Sequence, residues 1–148
     1  MTGFWRTWLT VWAWSIGAFG VVLIGAGFAA TEGPTLWVMR ALDGPGDLTM
    51  TPPLRFALAL CGAVTLGWSL TMLAALRAAW QLGAAARPVW VAITVTVVGW
   101  YVVDSTLSVA TGFALNAVSN TVFLIAYLIP VLRCGVLGDG AASTTATR

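Results

Sequence analysis

Apolar residues fall into four long runs separated by short polar segments, at about 5–30, 52–80, 88–108 and 114–133. At a rise of about 1.5 Å per residue, a helix over each run is long enough to cross a hydrocarbon core about 30 Å thick. The pattern predicts an all-α, polytopic integral membrane protein. We expect a four-transmembrane-helix bundle with short connections, and a single membrane domain over 1–148.

Composition favours the same class. Hydrophobic residues make up 59% of the chain and charged residues only 8%, whereas soluble domains carry about 25% charged residues. A surface in water needs charges and a surface in lipid does not. The low charge therefore indicates membrane insertion rather than a soluble fold.

One longer connection, 31–51, is predicted to lie on the outer side. Its D-G-P-G-D sequence indicates a turn. The preceding residues, 34–42, form an interfacial helix in this interpretation, with Trp37 facing lipid and Arg40 facing water. The small and polar tail, 135–148, is predicted to be disordered.

Arginines set the predicted topology, because cytoplasmic loops of membrane proteins are enriched in positive residues. With four spans, five arginines share a side with both termini: Arg6, Arg77, Arg87, Arg133 and Arg148. Arg40 and Arg55 fall on the other side. We therefore expect both termini to be cytoplasmic. The Ala-rich, all-Arg composition favours a bacterial cytoplasmic (inner) membrane.

Two patterns predict packing or binding surfaces. Trp5, Trp8 and Trp12 share one helical face, either as an interfacial anchor or as an aromatic wall for a flat hydrophobic ligand. In the second run, small residues recur at every fourth position. This stripe predicts close packing against another helix, in the same chain or in a second copy. Its members are Ala59, Ala63, Gly67, Thr71, Ala75 and Ala79.

A polar layer is predicted between the third and fourth runs. Asp104 and Asn116 each lie about 25 Å along a helix from the arginine at its cytoplasmic end. They should therefore sit at one level, near the outer edge of the hydrocarbon core. The predicted layer comprises Trp100, Tyr101, Asp104, Ser105, Ser108, Asn116 and Asn120.

Two interpretations of this layer stay open. In the structural one, Asp104 pairs with Arg55, and the asparagines bond across the bundle. In the functional one, the layer holds the polar head of a ligand whose apolar body lies along Trp100, Trp68 or Phe123. An ionisable residue within a membrane span is by default a hypothesis for a functional site. Asp104 lies near the end of its span, however, where a charge costs much less than at the midplane, and this favours the structural interpretation.

Missing residue types narrow the chemistry. The chain has no histidine and no lysine. A retinal Schiff base is thereby excluded, and haem, a His-ligated metal and chlorophyll are disfavoured. No cofactor and no metal site are predicted. The net charge of +2, with no basic patch, argues against a nucleic-acid partner.

These observations predict a small membrane protein without catalytic machinery. It would bind a lipid-like or pigment-like hydrophobic molecule, act as an accessory subunit of a larger membrane complex, or do both. The alternative is a homo-oligomeric transporter or channel using Asp104 as its coupling carboxylate. An enzyme ranks last, since acid–base work would fall to Asp104 and Tyr101 alone. Expected partners are membrane lipid, further copies and other membrane-protein subunits.

Overall fold

The computed structural model describes residues 1–138, about 82% of which are helical, with no strand among them. The helices are α1 (Gly3–Ile24, continued by a 3-10 turn, Gly25–Gly27), α2 (Gly33–Ala41), α3 (Pro52–Leu82), α4 (Arg87–Ala110) and α5 (Ala114–Arg133). This confirms the all-α class. Three helical stretches of the described chain are long and apolar enough to cross a membrane: Gly3–Gly27, Pro52–Ala110 and Ala114–Arg133.

The stretch Pro52–Ala110 contains two helices that run in opposite directions. α3 and α4 are joined by a 3-10 turn, Gly83–Ala86, and Gly83 has φ +54°, a conformation that glycine adopts without a steric penalty. The rings of Trp68 and Trp100, on either side of this turn, have centroids 5.4 Å apart. Such a contact requires the chain to fold back, so α3 and α4 form an antiparallel pair.

Local sequence explains where the helices begin and end. Thr51 caps α3 by accepting a 3.4 Å hydrogen bond from Leu54 N. At the end of α4, Gly112 (φ +87°) donates to Val109 O at 3.2 Å and Phe113 N donates to Ser108 O at 2.8 Å. This pair of bonds is a Schellman motif. It stops α4 two residues beyond the predicted 108, and α5 follows at once.

The first helix is shorter than the predicted run, which reached 30. α1 ends at Ile24, and the 3-10 turn ends at Gly27. The Thr31 hydroxyl donates to Gly25 O at 2.8 Å, so the chain bends back instead of continuing as a helix. The bend is fixed further by Thr35 on α2, which is fully buried and donates to Val22 O at 2.6 Å.

The four long helices form a ring in which α1 lies between α3 and α5, and α4 lies between the same two. Both ends can be identified. Arg6 stacks on Trp80 at 5.9 Å, and Arg87 Nε donates to Leu137 O at 3.1 Å. These residues and the 83–86 turn lie at the end of the bundle where α1 begins and α5 ends, which we call the terminal end. The opposite loop end carries the connection 28–51 and the turn 111–113, where Phe113 lies against Gly44.

The closest packing is between α1 and α3, at glycines. A Cβ added at Gly62 would lie 2.5 Å from Ile24 N, and one added at Gly20 would lie 2.8 Å from Gly62 O. Only glycine permits this backbone approach. The interface is tied by a buried hydrogen bond of 2.7 Å from Ser69 Oγ to Ala13 O.

Only part of the predicted small-residue stripe packs within the chain. Ala63, Gly67 and Thr71 are exposed, and a Cβ on Gly67 would meet nothing within 4 Å. Ala59 and Ala75 are half-buried, and only Ala79 is buried. Intrachain packing is therefore wrong for Ala63, Gly67 and Thr71, while Ala75 and Ala79 do pack at the shared core. The closest approach runs along a neighbouring face, where glycines let the backbones come nearer than alanine does. Packing against a second copy stays a prediction.

A hydrophobic core shared by all four long helices occupies the terminal half. It includes Trp12 and Ile16 of α1, together with buried residues of the other three helices. Those are Met72, Leu73, Leu76, Ala79, Trp90, Ile93, Val97, Tyr127 and Val131. Towards the loop end, the buried glycines and Ser69 join α1 to α3, while buried Ser108 and Asn120 join α4 to α5.

Two indoles of α1 bind the backbone of α5. Trp8 Nε1 donates to Ala126 O at 2.8 Å, and Trp12 Nε1 donates to Phe123 O at 3.1 Å. Pro130 lies inside α5 and has no N–H, so it cannot supply the helical bond that Ala126 O would otherwise accept. Trp8 takes that role. Trp8 and Trp12 thus tie α1 to α5. Neither the interfacial-anchor interpretation nor the ligand-wall interpretation anticipated this role.

After α5 the chain makes an ordered turn. Gly135 (φ +60°) donates to Leu132 O at 3.1 Å, and Val136 N donates to Val131 O at 3.4 Å. Disorder was predicted from 135 onwards and stays a prediction; the structure shows a helix-ending glycine motif at the start of that segment. The rest of the predicted tail, 139–148, lies outside the described residues.

Candidate functional site

Asp104, on α4, is the centre of the polar layer. Its Oδ2 accepts hydrogen bonds from the side-chain amides of Asn120, at 2.6 Å, and Asn116, at 3.3 Å. Both asparagines lie on α5, one turn apart, so their amides point across to α4 from the same face. The layer therefore joins the two helices of the α4–α5 hairpin through a single carboxylate oxygen.

Two serines of α4 complete the network. Ser108 Oγ accepts from Asn116 Nδ2 at 2.8 Å and donates to Asp104 O at 2.7 Å. Ser105 Oγ lies 3.4 Å from Asn120 Nδ2 and accepts from it. Asn120 and Ser108 are each only 6% exposed, while Asp104 is half-buried. The Asp104 carboxylate therefore contacts a buried amide donor, Asn120, but is itself only partly shielded from its surroundings.

The two aromatic residues of the predicted layer have partners of their own. Trp100 packs its ring on Trp68 of α3, at 5.4 Å between centroids. The Tyr101 hydroxyl lies 3.1 Å from Thr121 Oγ1 on α5. A shallow groove between α4 and α5 runs past Tyr101 and Ser105. Both aromatic residues therefore adjoin the Asp104 network without bonding to Asp104.

Arg55 does not pair with Asp104, so the proposed structural pair is wrong. The Arg55 guanidinium forms an ion pair with the Glu32 carboxylate instead. It also donates to Ala26 O at 3.4 Å. This arrangement ties the end of α1, the start of α2 and the first turn of α3. Arg55 is engaged on the α1–α3 side of the molecule, away from the α4–α5 hairpin.

Asp104 lies on the face of α4 that carries the core residues, and its carboxylate is turned towards α5. On α4, Trp90, Ile93 and Val97 belong to the shared core, and Asp104 continues the same face one turn beyond Trp100. On α5, Asn120 and Asn116 continue the face of buried Tyr127 in the same way. The polar layer thus continues, between α4 and α5, the faces that these two helices turn towards the apolar core.

The electrostatics of this layer favour a donor or a cation. Among residues 1–138, Arg55–Glu32 is the one ion pair, so no described arginine neutralises Asp104. The second carboxylate oxygen, Oδ1, and the amide oxygens of Asn116 and Asn120 accept no hydrogen bond from any described residue. One oxygen of the carboxylate and two neighbouring amide oxygens therefore remain as acceptors, an arrangement suited to binding a donor or a cation.

Sequence reasoning missed several participants. Thr121 forms a hydrogen bond with the Tyr101 hydroxyl, and Glu32 forms an ion pair with Arg55. Pro130 within the fourth apolar run could have indicated an unpaired carbonyl at Ala126, since proline always removes the bond to the residue four positions earlier. No comparable pattern indicated Glu32, because its place depends on the bend after α1.

No cluster of three or more His, Cys, Asp or Glu side chains that could hold a metal occurs between residues 1 and 138. The expectation that no cofactor is present stays a prediction. Comparison with known proteins found no matching family model, no matching curated protein and no matching solved structure.

Proposed function

We propose that this chain crosses a membrane four times, through α1, α3, α4 and α5, and binds a lipid-like or pigment-like hydrophobic molecule. The polar head of that molecule reaches Asp104, and its apolar body lies along Trp68, Trp100 or Phe123. Both termini are cytoplasmic in a bacterial inner membrane. Long apolar helices and the distribution of arginines support this topology.

One observation carries the proposal: the half-buried Asp104 carboxylate lies between α4 and α5 and is held by amides, with no described arginine beside it. A charged side chain within a membrane span is costly, by at least about 2.5–3.5 kcal/mol at the centre and less towards the edge. A purely structural clamp does not require that charge. An asparagine in place of Asp104 could still accept from Asn120 and join the same two helices.

The surroundings suit an amphipathic ligand. Trp68 and Trp100 form an aromatic pair next to the layer, and Phe123 packs on Trp12 with centroids 6.1 Å apart. These rings lie where the shared core gives way to the polar layer, so apolar and polar surfaces meet at one level. A molecule with a polar head and an apolar body matches both surfaces.

Native mass spectrometry of the protein extracted gently from its own membrane tests the proposal. We expect a bound small molecule on the wild type. Asp104→Asn should reduce its occupancy about tenfold, as loss of one charge-assisted hydrogen bond implies. Asp47→Asn is the matched control, because it removes an acid from the connection at the loop end without touching the layer; its occupancy should equal the wild type. Bare protein throughout, or equal occupancy in Asp104→Asn, would contradict the proposal.

A second candidate role rests on the exposed stripe. Ala63, Gly67 and Thr71 form a small-residue face that no described helix covers. Such faces let a further transmembrane helix approach closely. This observation supports an accessory subunit of a larger complex, or a homo-oligomeric transporter in which Asp104 couples transport. The same spectra separate them, since foreign chains indicate a subunit and a bare homo-oligomer favours transport.

A further inference from the structure

We propose that the head group bound at Asp104 is a primary ammonium, carried by an amphiphile with an alkyl chain. This inference rests on the proposed function, because it names the chemical class of the ligand at the same site. It follows from the acceptors that the layer presents, from its charge, and from the aromatic rings beside it.

The acceptors set the number of donors that the ligand needs. Asn116 and Asn120 direct their amide N–H groups to Asp104 Oδ2 and to the serines. Their own carbonyl oxygens, like Asp104 Oδ1, receive no donor from residues 1–138. The layer therefore presents three oxygens that no described residue satisfies. None of them is fully buried, so a ligand head that carries several N–H donors can reach them.

A primary ammonium carries three N–H donors and one positive charge. A hydroxyl head has one donor and no charge, so it would leave the carboxylate unneutralised. A quaternary ammonium has the charge but no N–H donor. A carboxylate or phosphate head would be repelled by Asp104. Among these head groups, only the primary ammonium meets both the charge and the donor requirement.

The neighbouring rings favour a cation for a separate reason. Trp100 lies four residues before Asp104 on α4, so the two side chains are neighbours on one helical face. Indole rings attract cations within about 6 Å of the ring face. Trp100 is itself packed on Trp68, which fixes its position. A cation bound at Asp104 is therefore placed next to an ordered indole.

A matched series of dodecyl amphiphiles tests the inference. Wild-type protein in neutral maltoside micelles is titrated with dodecylamine, its N-methyl, N,N-dimethyl and N,N,N-trimethyl derivatives, and dodecanol, with native mass spectrometry reporting occupancy. We expect affinity to fall stepwise as methyl groups replace N–H donors, by about tenfold across the series. Dodecanol should bind at least as weakly as the trimethyl compound. This arm uses the wild type alone, so it does not depend on any variant folding.

Two variants add a second arm. Asp104→Asn should abolish the preference for dodecylamine over dodecanol, while Asp47→Asn should keep it, with circular dichroism confirming helicity in both. Equal affinity across the whole series, or tighter binding of the trimethyl compound, would overturn the ammonium assignment and leave the proposed function standing. If none of the five amphiphiles binds and no native adduct is found, both proposals fail together.

Discussion

Replacing Gly62 by alanine should separate α1 from α3. The added Cβ would lie 2.5 Å from Ile24 N and 2.6 Å from Gly20 O, whereas ordinary contacts begin near 3.4 Å. Both obstructing atoms are backbone, so no side chain can rotate away and the whole of α1 must shift. The shift would also stretch the buried 2.7 Å bond from Ser69 to Ala13. Overpacking of this kind lowers the free energy of unfolding by about 1–3 kcal/mol.

Gly67→Ala is the matched control for this prediction. It makes the same chemical change in the same helix, so it shares the gain in helix propensity, about 1 kcal/mol in water. No atom lies within 4 Å of its added Cβ. Unfolding with increasing SDS in mixed micelles, followed by circular dichroism, measures both variants. Gly62→Ala should unfold at a lower SDS fraction than the wild type, and Gly67→Ala should not. Equal midpoints for the two variants would refute the assigned α1–α3 interface.

Two further predictions concern ties between helices. Trp8→Phe should lower the free energy of unfolding by about 1 kcal/mol, because it leaves Ala126 O without its donor. In a Pro130→Ala background, the backbone N–H of residue 130 supplies that donor, so Trp8→Phe should no longer lower the free energy of unfolding. An undiminished loss in that background would contradict the assigned bond. Arg55→Gln and Glu32→Gln should each lower the free energy of unfolding by about 0.5–1 kcal/mol. The double variant should lose less than the sum of the two single losses, which the same SDS titration measures. Additive losses would show that the two side chains do not interact.

The ends of the helices were largely predictable from sequence, because local chemistry determines them. Thr51 with two prolines marks the start of α3, and Gly112 marks the end of α4. The short helix predicted at 34–42 corresponds to α2 at Gly33–Ala41. The end of α1 was missed, since it depends on the Thr31 hydroxyl reaching back to Gly25 O, a bond that no apolar pattern records.

Helix faces were harder to predict than helix ends. The four-residue repeat of small residues in α3 is regular, yet the packed face runs through Gly62 and Ser69 instead. Regularity did not show where the backbones meet most closely, because alanine is common in any apolar run. The closest approach is at Gly62 and Gly20, and their pairing involves two separate segments. A single sequence does not show which segments will meet.

The polar layer was predictable in its members but not in its charge balance. Depth along two neighbouring helices places Asp104 and the α5 asparagines at one level, and hydrogen bonds join them as that reasoning expects. The partner of Arg55 could not be found in this way, because it depends on the bend after α1. That bend carries Glu32 to the first turn of α3, where it binds Arg55. Glu32 and Ala26 O together hold Arg55 on the α1–α3 side of the ring. Asp104 is thereby left with amide donors alone, and this uneven distribution of charge is the reason to look for its cation outside the chain.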